Sequence, residues 1–471
     1  MFAANRSLSD DSTLPLQGLK RTGISLKDCG VDVLHEAAEM GLLGLINYAL
    51  DTREIGIDSL GYQEEDGYER QGATPLYLAI LQDHDEAARL LLDRGANPSA
   101  RSGLRQTWYP LTSAVWGLHH GMAKMLIDAG ADVACRDTLN HTPILCATMT
   151  RDIEMSTLLL YAGADIFTTD VDDQSLFSIA FRISDDPSLV EMLLLRSGLA
   201  PEYEKKNYLT AAVERGWCNV AKLLIEKGAD VEYNAFRQRP VPLLRAAIMM
   251  EHLDIAELLI QQGADVNARG FDQSCALHYT GEAKHLSLVK SLVAAGADVS
   301  ATNAQGCQPL MLAKSAAIVE ILLANGANYE HSSERCEKAL VTAVVQGRFD
   351  VAKLLLQAGA STRGSDDFSI VHYACQIGNL HIVELLLDYG ADISSNNPLG
   401  NSTLIIAAKS GRLSIVRLLL ERGADVEEAA ENGDTPLMMA ARNGHCGIVD
   451  ILIRHFGEHR RIFLYSAPRC G

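Results

Sequence analysis

Apolar residues recur along the chain at spacings that predict short, paired helices. Residues 382–387 read Ile-Val-Glu-Leu-Leu-Leu, and their apolar side chains fall on one helix face at i, i+3 and i+4. Gly390 follows, which suits a helix end that needs a left-handed residue. Such helices are too short to be stable alone, so each pair is expected to bury its apolar face against neighbouring pairs.

The same block occurs thirteen times, in steps of 30 to 35 residues with one step of 42. The apolar residue that opens each first helix, called here the opening position, is Leu34, Leu76, Leu111, Ile144, Phe177, Leu209, Leu243, Leu277, Leu310, Leu340, Val371, Leu404 or Leu437. Three residues later stands an alanine in every copy but the eighth, which has Thr280. A small residue there lets helices of neighbouring copies approach closely, so the period is a packing requirement. It predicts an all-α, elongated solenoid of stacked helix pairs.

Short motifs recur at fixed places in these copies. Most copies end in Gly-Ala-Asp or Gly-Ala-Asn, as at 130–132 and 326–328, and three open with Thr74-Pro75-Leu76, Thr142-Pro143-Ile144 or Thr435-Pro436-Leu437. Over residues 31–457 the chain resembles the ankyrin-repeat family. The resemblance implies an ankyrin-repeat solenoid of helix-turn-helix units joined by finger loops or short β-hairpins.

Three stretches depart from the repeat. Residues 1–30 have no repeat register and are expected to be a disordered N-terminal tail. An insertion near 52–71 accounts for the step of 42 residues. Residues 458–471 form a C-terminal tail whose apolar run at 462–465 is expected to cover the last repeat, with a docking peptide as the alternative. The degenerate fifth and sixth copies, around 185–203, predict the least stable part of the array.

Net charge and cysteine usage restrict the expected classes of partner and the expected cellular compartment. A net charge of −19 argues against binding nucleic acid or anionic membranes. The N-terminus lacks the apolar core of a secretory signal, and no run of 18 apolar residues occurs. The ten cysteines are scattered without any Cys-x-x-Cys, which predicts reduced thiols in the cytoplasm or the nucleus. A monomer is expected.

Motifs for chemistry are missing from the sequence. Residues 35–38 read His-Glu-Ala-Ala, the start of a zinc-protease helix, but Glu39 stands where the second histidine is needed. Seven of the fourteen histidines recur at fixed repeat positions, where hydrogen bonds to adjoining loops are the ordinary role. The adjacent His119 and His120 are unsuited to a metal, because adjacent side chains on a turn point apart. We therefore expect no catalytic residue, no metal, no cofactor and no enzymatic activity.

The resemblance implies that partners bind the finger loops and the exposed end of each first helix, five and six residues after the opening position. In this chain the apolar and aromatic residues there concentrate between the third and seventh copies, and aromatic and arginine side chains dominate interface energetics. The candidate partner-binding residues are Trp108, Tyr109, Trp116, Met149, Ile183, Tyr203, Tyr233, Phe236, Arg237, Ile248, Met249 and Phe271. For Trp108 and Tyr233, packing against neighbouring fingers is the alternative. The nearby Arg237, Arg239, Arg245 and Arg269 suggest a partner segment with apolar anchors and acidic flanks.

Three classes of function are compatible with this surface. The first is a non-enzymatic scaffold or adaptor that binds a partner protein, and the sequence favours it. The second is a regulatory or substrate-recruiting subunit of a larger complex, such as a ubiquitin ligase or a transcriptional regulator. The third is an enzyme or small-molecule binder that uses the concave groove.

Overall fold

Regular structure in the described part of the chain is almost entirely helical. The computed structural model describes residues 33–51, 55–61, 72–103, 108–196, 202–232, 234–235, 241–332, 337–364, 369–397 and 399–466, without the side chains of 202–207, 234–235 and 458–466. The chain divides into two compact units, Met1–Tyr208 and Leu209–Gly471. The boundary falls in the sixth copy, next to the stretch where the repeat motif is most degenerate.

The first unit is built from successive helix pairs. Its helices are α1 Val33–Glu39, α2 Leu43–Asp51, α3 Pro75–Leu81, α4 Asp85–Asp93, α5 Pro110–Trp116, α6 His120–Asp128, α7 Pro143–Met149, α8 Ile153–Tyr161, α9 Leu176–Ile183 and α10 Ser188–Arg196. Helix α11, Glu202–Arg215, contains the boundary. Within each pair the two helices pack together, and α1, α3, α5 and α7 each also pack against the first helix of the next copy.

The second unit continues the same arrangement. Its helices are α12 Cys218–Glu226, α13 Leu243–Met249, α14 Leu253–Gln261, α15 Leu286–Ala294, α16 Pro309–Leu312, α17 Ala316–Ala324, α18 Ala339–Val345, α19 Phe349–Gln357, α20 Ile370–Ile377, α21 Leu380–Asp388, α22 Thr403–Lys409, α23 Leu413–Glu421, α24 Pro436–Arg442 and α25 Cys446–Ser466. Two 3₁₀ helices, Ala276–Tyr279 and Ala283–His285, belong to the eighth copy. An antiparallel two-residue pairing, β1 Asn234–Ala235 with β2 Val241–Pro242, forms a finger hairpin.

The repeat positions read from the sequence form the core. The opening positions are buried in the first twelve copies, and only Leu437 of the last copy is half-buried. The small residue three places later is buried in every copy, including Thr280. The Thr280 hydroxyl donates to the carbonyl oxygen of Leu277 at 3.1 Å, so its polar group is satisfied inside the stack. The packing explanation of the period is therefore confirmed.

Helix ends follow the expected chemistry at most places. The glycine of Gly-Ala-Asp is left-handed, with φ +88° at Gly130 and +83° at Gly390, a conformation that other L-residues reach only with strain. Thr74 and Thr435 cap their helices by accepting a hydrogen bond from a backbone N–H three residues on, at 3.3 Å in each case. Thr142 precedes α7 in the same way without a side-chain cap.

The eighth and ninth copies have shortened first helices. One is the single 3₁₀ stretch Ala276–Tyr279 and the other is the four-residue α16. The loops that follow them approach closely, since the N–H of Lys314 donates to the carbonyl oxygen of Gly281 at 2.7 Å. A Cβ atom on Gly281 would lie 2.4 Å from the carbonyl oxygen of Leu312. Glycine is therefore required there.

The terminal stretches are described only in part. The expected tail at 1–30 lies outside the described residues, and of the insertion near 52–71 only 55–61 is described. Helix α25 continues to Ser466, so the second helix of the last copy extends into the expected C-terminal tail. The side chains that would show a cap lie outside those described. None of the described helices is long and apolar enough to span a bilayer.

The cysteines correct one expectation. Cys135, Cys146, Cys218, Cys275, Cys375 and Cys446 are free thiols. Cys307, however, is disulfide-bonded, so the prediction of ten reduced thiols is wrong at this residue. Stacking places residues from adjacent copies side by side, so wide spacing along the sequence does not prevent pairing. Cysteine usage thus no longer supports a reducing compartment.

The recurring histidines connect consecutive copies, as expected. His84 and His445 lie between the two helices of their copies, and their Nε2 atoms contact the last carbonyl oxygen of the preceding first helix. These distances are 2.9 Å to Glu39 and 3.1 Å to Lys409. His278 bridges differently: its Nδ1 accepts from the N–H of Cys275 at 3.2 Å, and its Nε2 donates to the carbonyl oxygen of Cys307 at 3.1 Å.

Because the imidazole of His278 is buried, we expect the free energy of unfolding to depend on pH. Burial lowers the pKa of His278 in the folded state below the ordinary histidine value of about 6.5. Below about pH 6.5 the unfolded chain therefore binds a proton at this residue more readily than the folded chain does. The stabilisation is therefore complete above that value and is lost as the pH falls below it, by at most about 1.4 kcal/mol per pH unit. Denaturant unfolding at pH 7.5 and 5.5 measures this. His278→Gln should lose less stability between the two pH values than the unaltered chain, and equal losses would contradict the prediction.

Candidate protein-binding groove

Three consecutive first helices end in a row of exposed apolar side chains. Helices α3, α5 and α7 end at Leu81, Trp116 and Met149, each five residues after its opening position. Because α5 packs between α3 and α7, equivalent residues of the three copies lie side by side. All three side chains are accessible, and Trp116 is 39% exposed.

A cavity of about 590 Å³ lies along this row, and its lining residues are called the groove. The lining comes from first helices of the second to fourth copies, from the turns that follow them and from the adjoining finger loops. The groove consists of Tyr77, Ile80, Leu81, Trp108, Ser113, Trp116, Gly117, His119, Asp137, Leu139, His141 and Met149. Apolar and aromatic residues thus surround a space within the size range of ligand sites in proteins.

Trp108 is held in the groove by its backbone and by its ring. Its N–H donates to the carbonyl oxygen of Ser102 and its carbonyl accepts from the N–H of Ser102, both at 2.8 Å. The ring packs against a buried cluster of Ala73, Tyr77 and Leu78. The packing alternative considered for Trp108 therefore applies, and the residue also lines the cavity.

The finger that carries Leu139 is ordered by an aspartate. One carboxylate oxygen of Asp137 accepts from the N–H groups of Leu139 and His141, each at 2.8 Å. The other lies 3.2 Å from Nδ1 of His141. The N–H of Val171, on the next finger, donates to the carbonyl oxygen of Leu139 at 3.2 Å. The backbone that carries the exposed Leu139 is thereby ordered in the free chain, which lowers the ordering cost of any binding there.

The family model for ankyrin repeats matches residues 1–102, 177–270, 277–366 and 371–461. The chain belongs to the ankyrin-repeat family. This match and the stacked helix pairs confirm the predicted all-α ankyrin-repeat fold. Ankyrin repeats are modules for protein interaction, so the coarse functional expectation is also met.

Several curated ankyrin-repeat proteins are similar to parts of the chain. Human B-cell lymphoma 3 protein is 34% identical over 191 residues, 40% of this chain and 42% of that protein. Human ankyrin repeat and SOCS box protein 11 is 37% identical over 91 residues, 19% of this chain and 28% of that protein. The crystal structure of the human ASB11 ankyrin repeat domain covers 45% of this chain and 96% of its own, with 25% identity and a TM-score of 0.41. The chain therefore spans less than half the length of these full-length relatives.

The ankyrin array brings together only some of the predicted site residues. Trp108, Trp116 and Met149 line the groove. Tyr109 and Ile183 also belong to the first unit and are half-buried. Tyr109 precedes α5, and its N–H faces the hydroxyl of Thr112 at 3.3 Å. The side chain of Tyr203 and the residues Tyr233, Phe236 and Arg237 lie outside the described part of the chain.

In the second unit Met249 and Phe271 are exposed, but the expectation that Ile248 is exposed is wrong. Ile248 is only 2% exposed. The left-handed residue after the first helix, Glu251, stands eight residues after Leu243. In the second to fourth copies the equivalent residues, Asp83, Leu118 and Arg151, stand seven residues after the opening position. Helix α13 has seven residues like α3, α5 and α7, but it begins at its opening position and not one residue before it. This shift of one residue places Ile248 on the buried face and leaves Met249 as the exposed helix end.

Other groove residues were missed. Leu81 occupies the same repeat position as Trp116 and Met149, so the rule that found those two would have found it. Leu139 is a finger tip, and the signal for it is the Asp137 two residues earlier, a residue type that often orders turns. Tyr77 is nearly buried, lines the cavity and belongs to the cluster against which Trp108 of the next finger packs, a contact that the repeat pattern does not indicate.

Of the four arginines in the middle copies, Arg245 does not contribute to the expected basic surface, and Arg237 and Arg239 lie outside the described residues. Arg245 is 2% exposed, and its guanidinium donates to Asp272 at 2.6 Å and to the Tyr279 hydroxyl at 2.7 Å. The Tyr279 hydroxyl in turn donates to Asp272 at 2.7 Å. A Cβ atom on Gly270 would lie 1.5 Å from the guanidinium, so glycine makes room for it. Arg245 is therefore a structural link between the seventh and eighth copies.

Burial and hydrogen bonding oppose each other at Asp272. Burial raises its pKa, but the hydrogen bonds from Tyr279 and Ser274 and the charge of Arg245 outweigh that effect and hold the pKa below its usual value. The carboxylate therefore stays ionised beside the guanidinium. Among the described residues, no three His, Cys, Asp or Glu side chains are grouped as metal ligands.

Proposed function

We propose that the chain is a non-enzymatic scaffold or adaptor that binds a partner protein in the groove. The observation that carries this proposal is the cavity of about 590 Å³ lined by Trp108, Trp116 and Met149. Aromatic residues of this kind dominate binding energy at protein interfaces. A cluster of exposed apolar side chains on a chain with a net charge of −19 favours a contact surface.

The groove is suited to recognition more than to chemistry. Its carboxylate, Asp137, is engaged by two backbone N–H groups and by His141 in ordering the finger. The Trp108 finger is likewise fixed by paired backbone hydrogen bonds. Such preorganised apolar surfaces bind with a small loss of conformational entropy. Met249 and Phe271 are each exposed in the second unit, and we propose them as additional contacts.

Affinity capture from the native cell, with mass spectrometry, tests the proposal. Three versions are compared: the unaltered chain, Trp116→Ala and Tyr161→Ala. Tyr161 is a matched control because it is an aromatic residue of the same unit, 74% exposed, at the end of the second helix α8. A partner should be captured by the unaltered chain and by Tyr161→Ala and be depleted with Trp116→Ala. Equal capture by all three would overturn the proposal.

A recruiting role in a larger complex is the second candidate. It is favoured by the similarity to ankyrin repeat and SOCS box protein 11, whose name describes repeats joined to a second element. A recruiting subunit needs a contact that does not depend on the groove. If the chain recruits, Trp116→Ala should no longer capture the protein bound in the groove but should still capture the other subunits in constant proportion. If the chain is an adaptor for a single partner, Trp116→Ala should capture no specific protein.

A further inference from the structure

The loops that border the groove are rich in aspartate. On the finger side, Asp172 and Asp173 are exposed beside Val171, whose N–H holds Leu139. On the helix side, Asp83 lies 2.8 Å from Nδ1 of His119, a groove residue. Further along that side Asp185 is almost fully exposed.

Positive charge along the same border is less frequent and partly engaged. The described residues at 82–84, 101–103, 117–120, 136–141, 150–152, 169–174 and 182–186 contain eight aspartates, four arginines and no lysine. Arg151 lies 3.6 Å from Asp185. Arg136 donates to the carbonyl oxygens of Asn140 and Thr169 at 3.4 and 3.3 Å. All four arginines are exposed, as are the five aspartates at 83, 172, 173, 185 and 186, whereas Asp137, Asp152 and Asp170 are engaged in local hydrogen bonds. Eight aspartates against four arginines give this border of the apolar cavity a formal charge of −4.

We propose, building on the proposed function, that the groove binds a basic peptide segment of its partner. One aromatic or long aliphatic side chain of the segment enters the cavity, and lysine or arginine residues on either side face the aspartates. Opposite charges at the edge of an interface fix the register of binding and raise its rate. The total charge of −19 also attracts a positively charged partner over long distances.

This proposal reverses the acidic flanks expected from the sequence. That expectation depended on four arginines of the middle copies. Arg245 is buried against Asp272, and Arg269 donates to the carbonyl oxygen of Thr302 at 2.9 Å in the second unit. Arg237 and Arg239 lie outside the described residues. Neither Arg245 nor Arg269 lines the groove.

A peptide-display experiment tests the proposal. A library of random twelve-residue peptides is selected on the unaltered chain and, in parallel, on Trp116→Ala. Peptides enriched only on the unaltered chain should carry net positive charge around one large apolar residue. Their affinity should fall at least about fivefold when NaCl is raised from 50 to 500 mM, because screening weakens exposed charge pairs.

Charge variants locate the effect. Asp172→Asn and Asp185→Asn should each weaken a selected basic peptide about two- to fivefold, as expected for exposed ion pairs. Asp128→Asn is the matched control: Asp128 is exposed on the same unit, but at the end of the second helix α6, and its change should have no effect.

Each outcome decides between the two proposals. Basic peptides that require Trp116 support the inference. Neutral or acidic peptides that require Trp116 overturn the inference and leave the groove as the binding site. The absence of any Trp116-dependent enrichment, with Trp116→Ala still folded by thermal melting, overturns both.

Discussion

Truncating Trp116 to alanine is expected to weaken partner binding about thirtyfold while the array stays folded. The ring lines the cavity beside Met149, and aromatic anchors of this kind contribute on the order of 2 kcal/mol or more. Because 39% of Trp116 is exposed, its truncation removes less core than a buried tryptophan, for which the loss is about 3–5 kcal/mol. Calorimetric titration with the captured partner gives the affinity, and thermal melting gives the stability.

The control for this prediction is Tyr161→Ala. It removes an exposed ring, together with a cation–π contact in which Arg196 lies 4.2 Å from the ring centroid, without touching the groove. Its affinity for the partner should match that of the unaltered chain. Should Trp116→Ala bind as tightly as Tyr161→Ala while melting normally, the groove would not be the contact surface.

Replacing Arg245 by methionine is expected to destabilise the second unit by about 3 kcal/mol. Removing one member of a buried ion pair leaves the other charge without compensation, at a cost of about 3–5 kcal/mol. We expect the lower end of this range of destabilisation because the side chain of Asp272 is 31% exposed, so solvent partly compensates its unpaired charge. Denaturant unfolding and hydrogen exchange in α13 measure the change.

Arg269→Met is the matched control for Arg245. Arg269 is exposed and donates to a backbone carbonyl, so its loss should cost less than about 1 kcal/mol. The double variant Arg245→Met with Asp272→Asn should recover part of the lost stability, since no unpaired charge remains. Equal destabilisation by Arg245→Met and Arg269→Met would show that the buried network contributes nothing.

The sequence predicted the features that depend on the period. Leu111 and Ala114 were placed in the core because each copy must present the same apolar face to its neighbours, and both are buried. Single-residue changes of register are harder to detect. Helix α13 begins one residue later, relative to its opening position, than α3, α5 and α7, while the spacing of Leu243 and Ala246 is unchanged. The repeat pattern therefore predicts the wrong face for Ile248.

Contacts between copies explain what the sequence could not show. The partners of Arg245 are Asp272 and Tyr279, which belong to a later finger and the next copy, so a buried arginine looked like a surface charge. The packing of Trp108 against the cluster that contains Tyr77 is likewise a contact between residues far apart in the sequence. The row of Trp116 and Met149 was predictable because equivalent positions in stacked copies must lie side by side.

Site-specific photo-crosslinking tests the central claim, that the partner occupies the groove, most directly. A photoreactive amino acid is placed at Leu139, an exposed finger tip of the groove, and separately at Leu195, an exposed residue at the end of the second helix α10. The account predicts a crosslink to the partner from position 139 and none from position 195. A crosslink from position 195 alone would contradict it.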